Sequence, residues 1–223
     1  MATLKQAEKS KVSAATMEAR ATEVNAAIAA LLMDENTYSF DCDSMSNIGG
    51  KQYPDRMTFV LGEKQDREVI ATDSSVVIAS KTEADKHVDF TKNRWARFML
   101  LISQVDEEAK ELNRKTREVA FHKHIGDGFF VRVKDGYMCV GIRRFFMPYG
   151  LSTAGMERAS KEGISLRLDE WRDLMQIAVP TINHMFPSLA SALPCYEEST
   201  HLTQAGRIAC TSCNPYRFVN DWS

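Results

Sequence analysis

The sequence predicts an α+β protein of two tandem units, each a curved antiparallel β-sheet followed by a long α-helix, with one further helix at the N-terminus. Three observations predict it. Runs of β-type alternation gather in two clusters, one over 56–80 and one over 129–166, and each leads into an amphipathic stretch of helical period. The two stretches match one another: "VDFTKNRWARFMLLI", from Val88, and "ISLRLDEWRDLMQIA", from Ile164, lie 76 residues apart. In that register Val88 meets Ile164, Phe90 meets Leu166, Trp95 meets Trp171, Phe98 meets Leu174 and Met99 meets Met175. Finally, residues 2–33 are rich in Ala, Glu, Lys and Gln and hold no Gly or Pro, a composition that favours helix.

In the N-terminal segment Val24, Ile28, Leu31 and Leu32 form a narrow stripe at helical spacing, and "DENTYSFD" ends the pattern. The first unit holds the strand runs "RMTFVLGE", "EVIAT" and "SSVVIAS", then a short strand at Val88. Thr91 is placed to cap the helix that follows, with Arg94 where a capping box would hold Glu. The segment "QVDEEAKELNRKTRE" has no breaker, so this helix is expected to run to about Lys115. The second unit holds "FFVRVK", a Lys-Asp-Gly turn, "YMCVGIRRFF" and "GISL". Asp169 and Glu170 in the first turn of its helix suit the helix dipole, and Pro180 is expected to kink or end it. The boundaries read are 1–37 for the N-terminal helix, 38–117 and 118–188 for the two units, and 189–223 for a tail.

The chain has 223 residues, 44% of them apolar and 26% charged, the make-up of a soluble globular protein with a sizeable core. No apolar run nears the roughly 20 residues of a membrane span, and no secretory h-region opens the chain. Five scattered cysteines argue against a disulfide framework and for a reducing, intracellular setting, the nucleus included. Net charge is -2, but its distribution is lopsided. Eight Lys/Arg face four Asp/Glu over 121–168, against six and ten over 38–90.

Alternation divides the hairpin at 129–146 into two faces. Phe129, Val131, Val133, Met138, Val140 and Ile142 form a core face. Phe130, Arg132, Lys134, Tyr137, Cys139, Gly141 and Arg143 point the other way. That second face combines rings, cations and small residues, the chemistry of a single-strand surface: bases stack on aromatics, cations neutralise phosphates, and glycine permits close approach. Two readings of the cations stay open, phosphate contact or pairing with the acidic first unit. No helix with a groove-reading face is evident, so sequence specificity is expected to be weak.

At this point the second unit resembles the single-stranded-DNA-binding domain of the positive cofactor four family of transcriptional coactivators. The resemblance rests on "VRVKDGYMCVGIRRFF" followed by "SKEGISLRLDEWRDL" and spans about Phe121 to Phe186. It implies curved sheets that hold a single strand and helices that meet at a dimer interface. With the internal repeat it implies a pseudo-dimer within one polypeptide. The family motif carries a second basic residue where Glu162 follows Lys161, and ends in Trp where this chain has Phe145 and Phe146. The nucleic-acid-binding set it points to is Phe130, Arg132, Lys134, Tyr137, Arg143, Arg144, Phe146 and Lys161. The implied function is non-enzymatic binding of single-stranded DNA, or of RNA, in transcription, replication or genome maintenance. A structural or protein-interaction module that keeps the fold without strand binding is the alternative, and the N-terminal helix and the aromatic tail are the segments that would then be the working surfaces, the helix meeting a protein partner or a second copy.

Other motifs are weaker. "CTSC" at 210–213 is a CxxC with Cys195 and His201 upstream. Zinc takes such ligands, but without a second close pair no metal or cofactor is assigned. "HKH" at 122–124 reads as two exposed histidines at a strand start, and Asp106, Glu107 and Glu108 read as a solvated helix face. No P-loop, GxGxxG, HExxH or nucleophile elbow is present, so no catalytic residue is assigned.

Overall fold

In the computed structural model the described residues are 38–40, 45–48, 51–148, 157–197 and 201–215, with side chains described from Pro54 onward. The N-terminal helix expected over 1–37 lies outside them. The first unit contributes β1 (Tyr38–Phe40), β2 (Met45–Ile48), β3 (Lys51–Pro54), β4 (Arg56–Leu61), β5 (Arg67–Thr72), β6 (Ser75–Ser80), β7 (His87–Thr91) and the helix α1 (Lys92–Arg114). The second contributes β8 (Ala120–Gly126), β9 (Phe129–Lys134), β10 (Cys139–Phe146) and β11 (Arg158–Arg167). Its helix is α2 (Leu168–Asp173), a π turn (Leu174–Ala178) and α3 (Val179–Met185), followed by α4 (Pro187–Ala190) and, in the tail, α5 (Gln204–Ala209).

Two antiparallel sheets result, each followed by a helix. The first has the order β1-β4-β5-β6-β7 and the second β11-β10-β9-β8, with β2 and β3 paired as a separate ribbon. Strands β8 and β1 to β3 go beyond the runs read from sequence, and β11 is longer than "GISL" suggests. Burial alternates along the strands as a half-buried sheet requires: Met57, Phe59 and Leu61 of β4 are buried, while Arg56 is exposed and Thr58 and Val60 are half-buried.

The helix starts coincide in the 76-residue register. Thr91 and Arg167 occupy the two N-cap positions with nearly the same backbone angles, φ -64 and -60 with ψ 162 in both. The caps differ in chemistry. The Thr91 hydroxyl accepts from the Arg94 amide at 3.4 Å, whereas Glu170 reaches back to accept from the Arg167 amide at 2.6 Å. Helix α1 ends where Lys115 turns left-handed, φ 57, and its amide bonds the Glu111 carbonyl.

Pro180 does not end the second helix, which continues to Met185. The preceding turn widens instead, with the Val179 amide reaching the Leu174 carbonyl, five residues back. A π turn ahead of a proline relieves the clash of its ring with the carbonyl four residues earlier.

One hydrophobic core serves both units. It joins Phe59, Val69 and Phe90 of the first sheet, Val131, Ile142 and Ile164 of the second, and Trp95, Phe98, Trp171, Leu174 and Ile182 of the helices. The Phe98 and Trp171 rings meet edge to face at 6.2 Å. Ion pairs cross between the units as well: Arg94 of α1 holds Asp127 in the β8–β9 turn at 2.5 Å, and Arg167 holds Asp66 in the β4–β5 loop at 2.7 Å. No described helix is long and apolar enough to cross a membrane.

Candidate nucleic-acid interface

The outward face of the second sheet carries an open groove of about 240 Å³. Its cationic and aromatic lining is Arg132, Lys134, Tyr137 and Arg143, and its floor includes Cys139, Gly141, Phe145 and Ser165. Four of the eight residues predicted from sequence therefore line one groove. Register explains the meeting. Gly141 of β10 pairs with Arg132 of β9 on one side and Ser165 of β11 on the other, so the three side-chain positions form one row across the sheet.

Gly141 leaves the middle of that row open. A Cβ there would meet nothing closer than the Arg132 carbonyl, at 3.7 Å, so neither backbone geometry nor packing requires the glycine. Its effect is on the outward face, where a flat group can approach the backbone. Burial pushes the Cys139 thiol up, so the floor stays neutral. Arg143 is oriented by the Ser160 carbonyl at 3.3 Å and by Ser165 Oγ at 3.5 Å. Tyr137 stands in the β9–β10 turn with 63% of its surface exposed, and Met138, expected on the core face, is exposed beside it because β10 begins only at Cys139. Beyond Arg132 and Lys134 a second concavity extends the groove toward His122 and Glu157.

The other four predicted residues take different places. Phe130 lies on the predicted face, but its ring is only 5% exposed. His122 stacks on it at 4.5 Å with the planes 7° apart, and Phe145 closes the other side at 5.4 Å. It supports the groove wall and offers no open ring. Phe146 does not line the groove; Phe145 does, as alternation along β10 requires, since Phe145 shares the parity of Cys139, Gly141 and Arg143 while Phe146 falls with Val140 and Ile142. Arg144 pairs with Glu162 at 3.0 Å, so the acid that replaces a basic residue of the resembled motif is spent on a neighbouring cation. Lys161 is exposed on β11, outside the groove lining.

Sequence reading missed His122 as a wall residue. The "HKH" histidines sit within β8 and are half-buried rather than exposed at a strand start. His122 also faces Glu157 at 3.2 Å. Asp106 is likewise more than a solvated acid: it accepts from Trp171 Nε1 at 3.2 Å and pairs with Lys110 at 2.6 Å.

The first sheet presents a different surface. Its outward positions include Thr58, Val60, Glu68, Ile70, Val77, Ala79, His87 and Asp89, and among the described side chains of this face no aromatic appears. In comparisons with known proteins the chain matches no family model, no curated protein and no solved structure.

Proposed function

We propose that the protein binds single-stranded nucleic acid, DNA in preference, along the outward face of its second sheet, and that the two units act as a single-chain pseudo-dimer with one working groove. The observation that carries this reading is the convergence of Arg132, Lys134, Arg143 and the open ring of Tyr137 around a floor left bare by Gly141. The cations supply phosphate neutralisation and Tyr137 supplies a stacking surface. The groove lies on a strand face, and among the described residues no helix lines it, which favours unpaired over paired substrates.

The test is binding of a labelled oligo-dT across a salt series, compared with the same length of duplex. Binding that is stronger for the single strand, weakens with salt and is lost in Arg143→Glu is the expected result. Absence of binding at low salt overturns the reading and leaves the protein-interaction module, for which the Ala-rich N-terminal segment and the aromatic tail would be the surfaces to probe.

A further inference from the structure

The tail brings together four side chains that the groove does not use. Cys195, His201, Cys210 and Cys213 each present a ligand atom, and the four atoms lie within 4.8 Å of one another. We propose that they form a structural zinc site, three thiolates and one imidazole, that fixes the tail to the body of the protein. The proposal stands whether or not the groove binds a nucleic acid.

Geometry is the first support. Tetrahedral zinc with Zn–S near 2.3 Å and Zn–N near 2.0–2.1 Å sets ligand atoms about 3.8 Å apart for two sulfurs and about 3.6 Å for sulfur and nitrogen. Cys195 Sγ lies 3.5 Å from Cys210 Sγ and 3.0 Å from His201 Nδ1, and Cys213 Sγ lies 4.0 Å from the same nitrogen. Those separations bracket the tetrahedral values, so small adjustments admit an ion. A Cys195–Cys210 disulfide would instead need the sulfurs at about 2.05 Å.

Local backbone is the second. The Asn214 amide donates to the Cys210 carbonyl at 3.0 Å, closing the turn that carries both sulfurs of the CxxC. His201 Nδ1 also lies 2.5 Å from the Cys195 carbonyl oxygen, a bond that a proton on Nδ1 makes and that metal would replace. Soft thiolates with one imidazole, in a closed set of four, suit zinc among the common divalent ions.

The third support is energetic. Neither the short 3₁₀ turn at Cys195–Glu197 nor α5 contains a buried residue, so hydrophobic burial does not hold this segment. Its polar ties to the body include two through backbone carbonyls: Asn93 Nδ2 donates to the Leu193 carbonyl at 3.1 Å, and the Asp127 amide to the Ser212 carbonyl at 3.2 Å. Arg97 and Arg207 each sit 5.5 Å from the Tyr196 ring. Three thiolates and a dication leave one negative charge, and Arg97 lines the cavity beside Cys213 to meet it. A segment without a core of its own is where a metal contributes folding energy.

The experiment is metal analysis of the full chain, purified under reducing conditions, followed by chelation and reloading with cobalt. One zinc per chain is expected. Cobalt should show the intense visible bands of a tetrahedral thiolate site. Cys195→Ser, Cys210→Ser and His201→Ala should each lose stoichiometric zinc, while Cys139→Ser, outside the cluster, should keep it. Chelation of the wild type should speed tryptic cleavage at Arg207 and leave the sheets folded by circular dichroism, a readout that does not depend on any variant folding. Substoichiometric zinc with no tetrahedral cobalt spectrum, zinc retained by all three ligand variants, or a Cys195–Cys210 disulfide in protein prepared without oxygen would overturn the proposal.

Discussion

Trp95 and Trp171 make reciprocal contacts. Trp95 Nε1 donates to Asn183 of the second helix at 3.4 Å, and Trp171 Nε1 donates to Asp106 of the first at 3.2 Å. The tryptophans stand 76 residues apart and their acceptors 77. The π turn at Leu174–Ala178 lies between Trp171 and Asn183 and absorbs the extra residue. The helices thus run antiparallel, and each unit's indole is completed by the other unit.

Because both indoles sit in one shared core, truncating either should weaken the whole fold and not one unit alone. Trp95→Ala and Trp171→Ala are each expected to cost about 3–5 kcal/mol. Urea unfolding followed by circular dichroism and by fluorescence of the remaining tryptophans should show a single, coincident transition moved to lower denaturant. Two separable transitions would mean that the units fold independently.

The groove assignment makes a distinction between cations. For a single strand, each phosphate contact contributes about 0.7 to the slope of log affinity against log salt. Arg132→Ala, Lys134→Ala and Arg143→Ala should each reduce the slope by about that amount. Arg144→Ala should change it less, since Arg144 is paired with Glu162. Tyr137→Ala should cost about 1–3 kcal/mol of affinity with the slope unchanged and the fold intact. Anisotropy titrations at four or five salt concentrations separate these outcomes.

Gly163 and Gly136 both have positive φ, at 133° and 86°, but their surroundings differ. A Cβ at Gly163 would lie 2.4 Å from the Ile142 carbonyl and 2.6 Å from Arg143 Cα, both backbone, whereas one at Gly136 meets nothing within 4 Å. Gly136→Ala is expected to cost about 1–2 kcal/mol from conformation alone. Gly163→Ala adds a clash with the β10 backbone where Gly163 pairs with Arg143, and should cost on the order of 3 kcal/mol or more. Thermal denaturation of the two variants, run in parallel, measures the difference.

Acid should destabilise the protein in two windows. Burial, reinforced by the Arg97 and Arg94 charges and by His122, holds His124 down at about 3. The unfolded chain protonates this group near 6.5, so the stability it contributes is complete above that pH and is lost as pH falls toward 3. His122, also lowered by burial, acts in the same direction. His124 Nε2 accepts from the Gly128 amide at 3.3 Å, so His124→Gln keeps an acceptor and should flatten this slope. The second window belongs to Asp66, which the Arg167 guanidinium holds at about 2. Its contribution is present above the ordinary value of 3.8 and lost as pH falls through about 2, and Asp66→Asn should remove that lower limb. Melting temperature against pH for the three proteins checks both.

Periodicity and capping made the repeat legible. Apolar positions at helical spacing around Trp95 and Trp171, and strict alternation in 129–134, are local consequences of which side of an element is buried, and they survive into the fold unchanged. The same alternation puts Arg132, Lys134, Tyr137 and Arg143 on one face. Phe146 came from the resemblance and not from alternation, which points to Phe145, two residues beyond Arg143 on the same face and the ring that lines the groove. Cys195 and His201 were visible beside "CTSC", yet their spacing named no site, since a chain turn through unpatterned residues is what brings them to the pair. Cross-unit partners were out of reach for a related reason. Asp66 with Arg167, Arg94 with Asp127, and Trp171 with Asp106 join segments far apart in sequence, and such choices are made by packing, where one core has to satisfy both units at once.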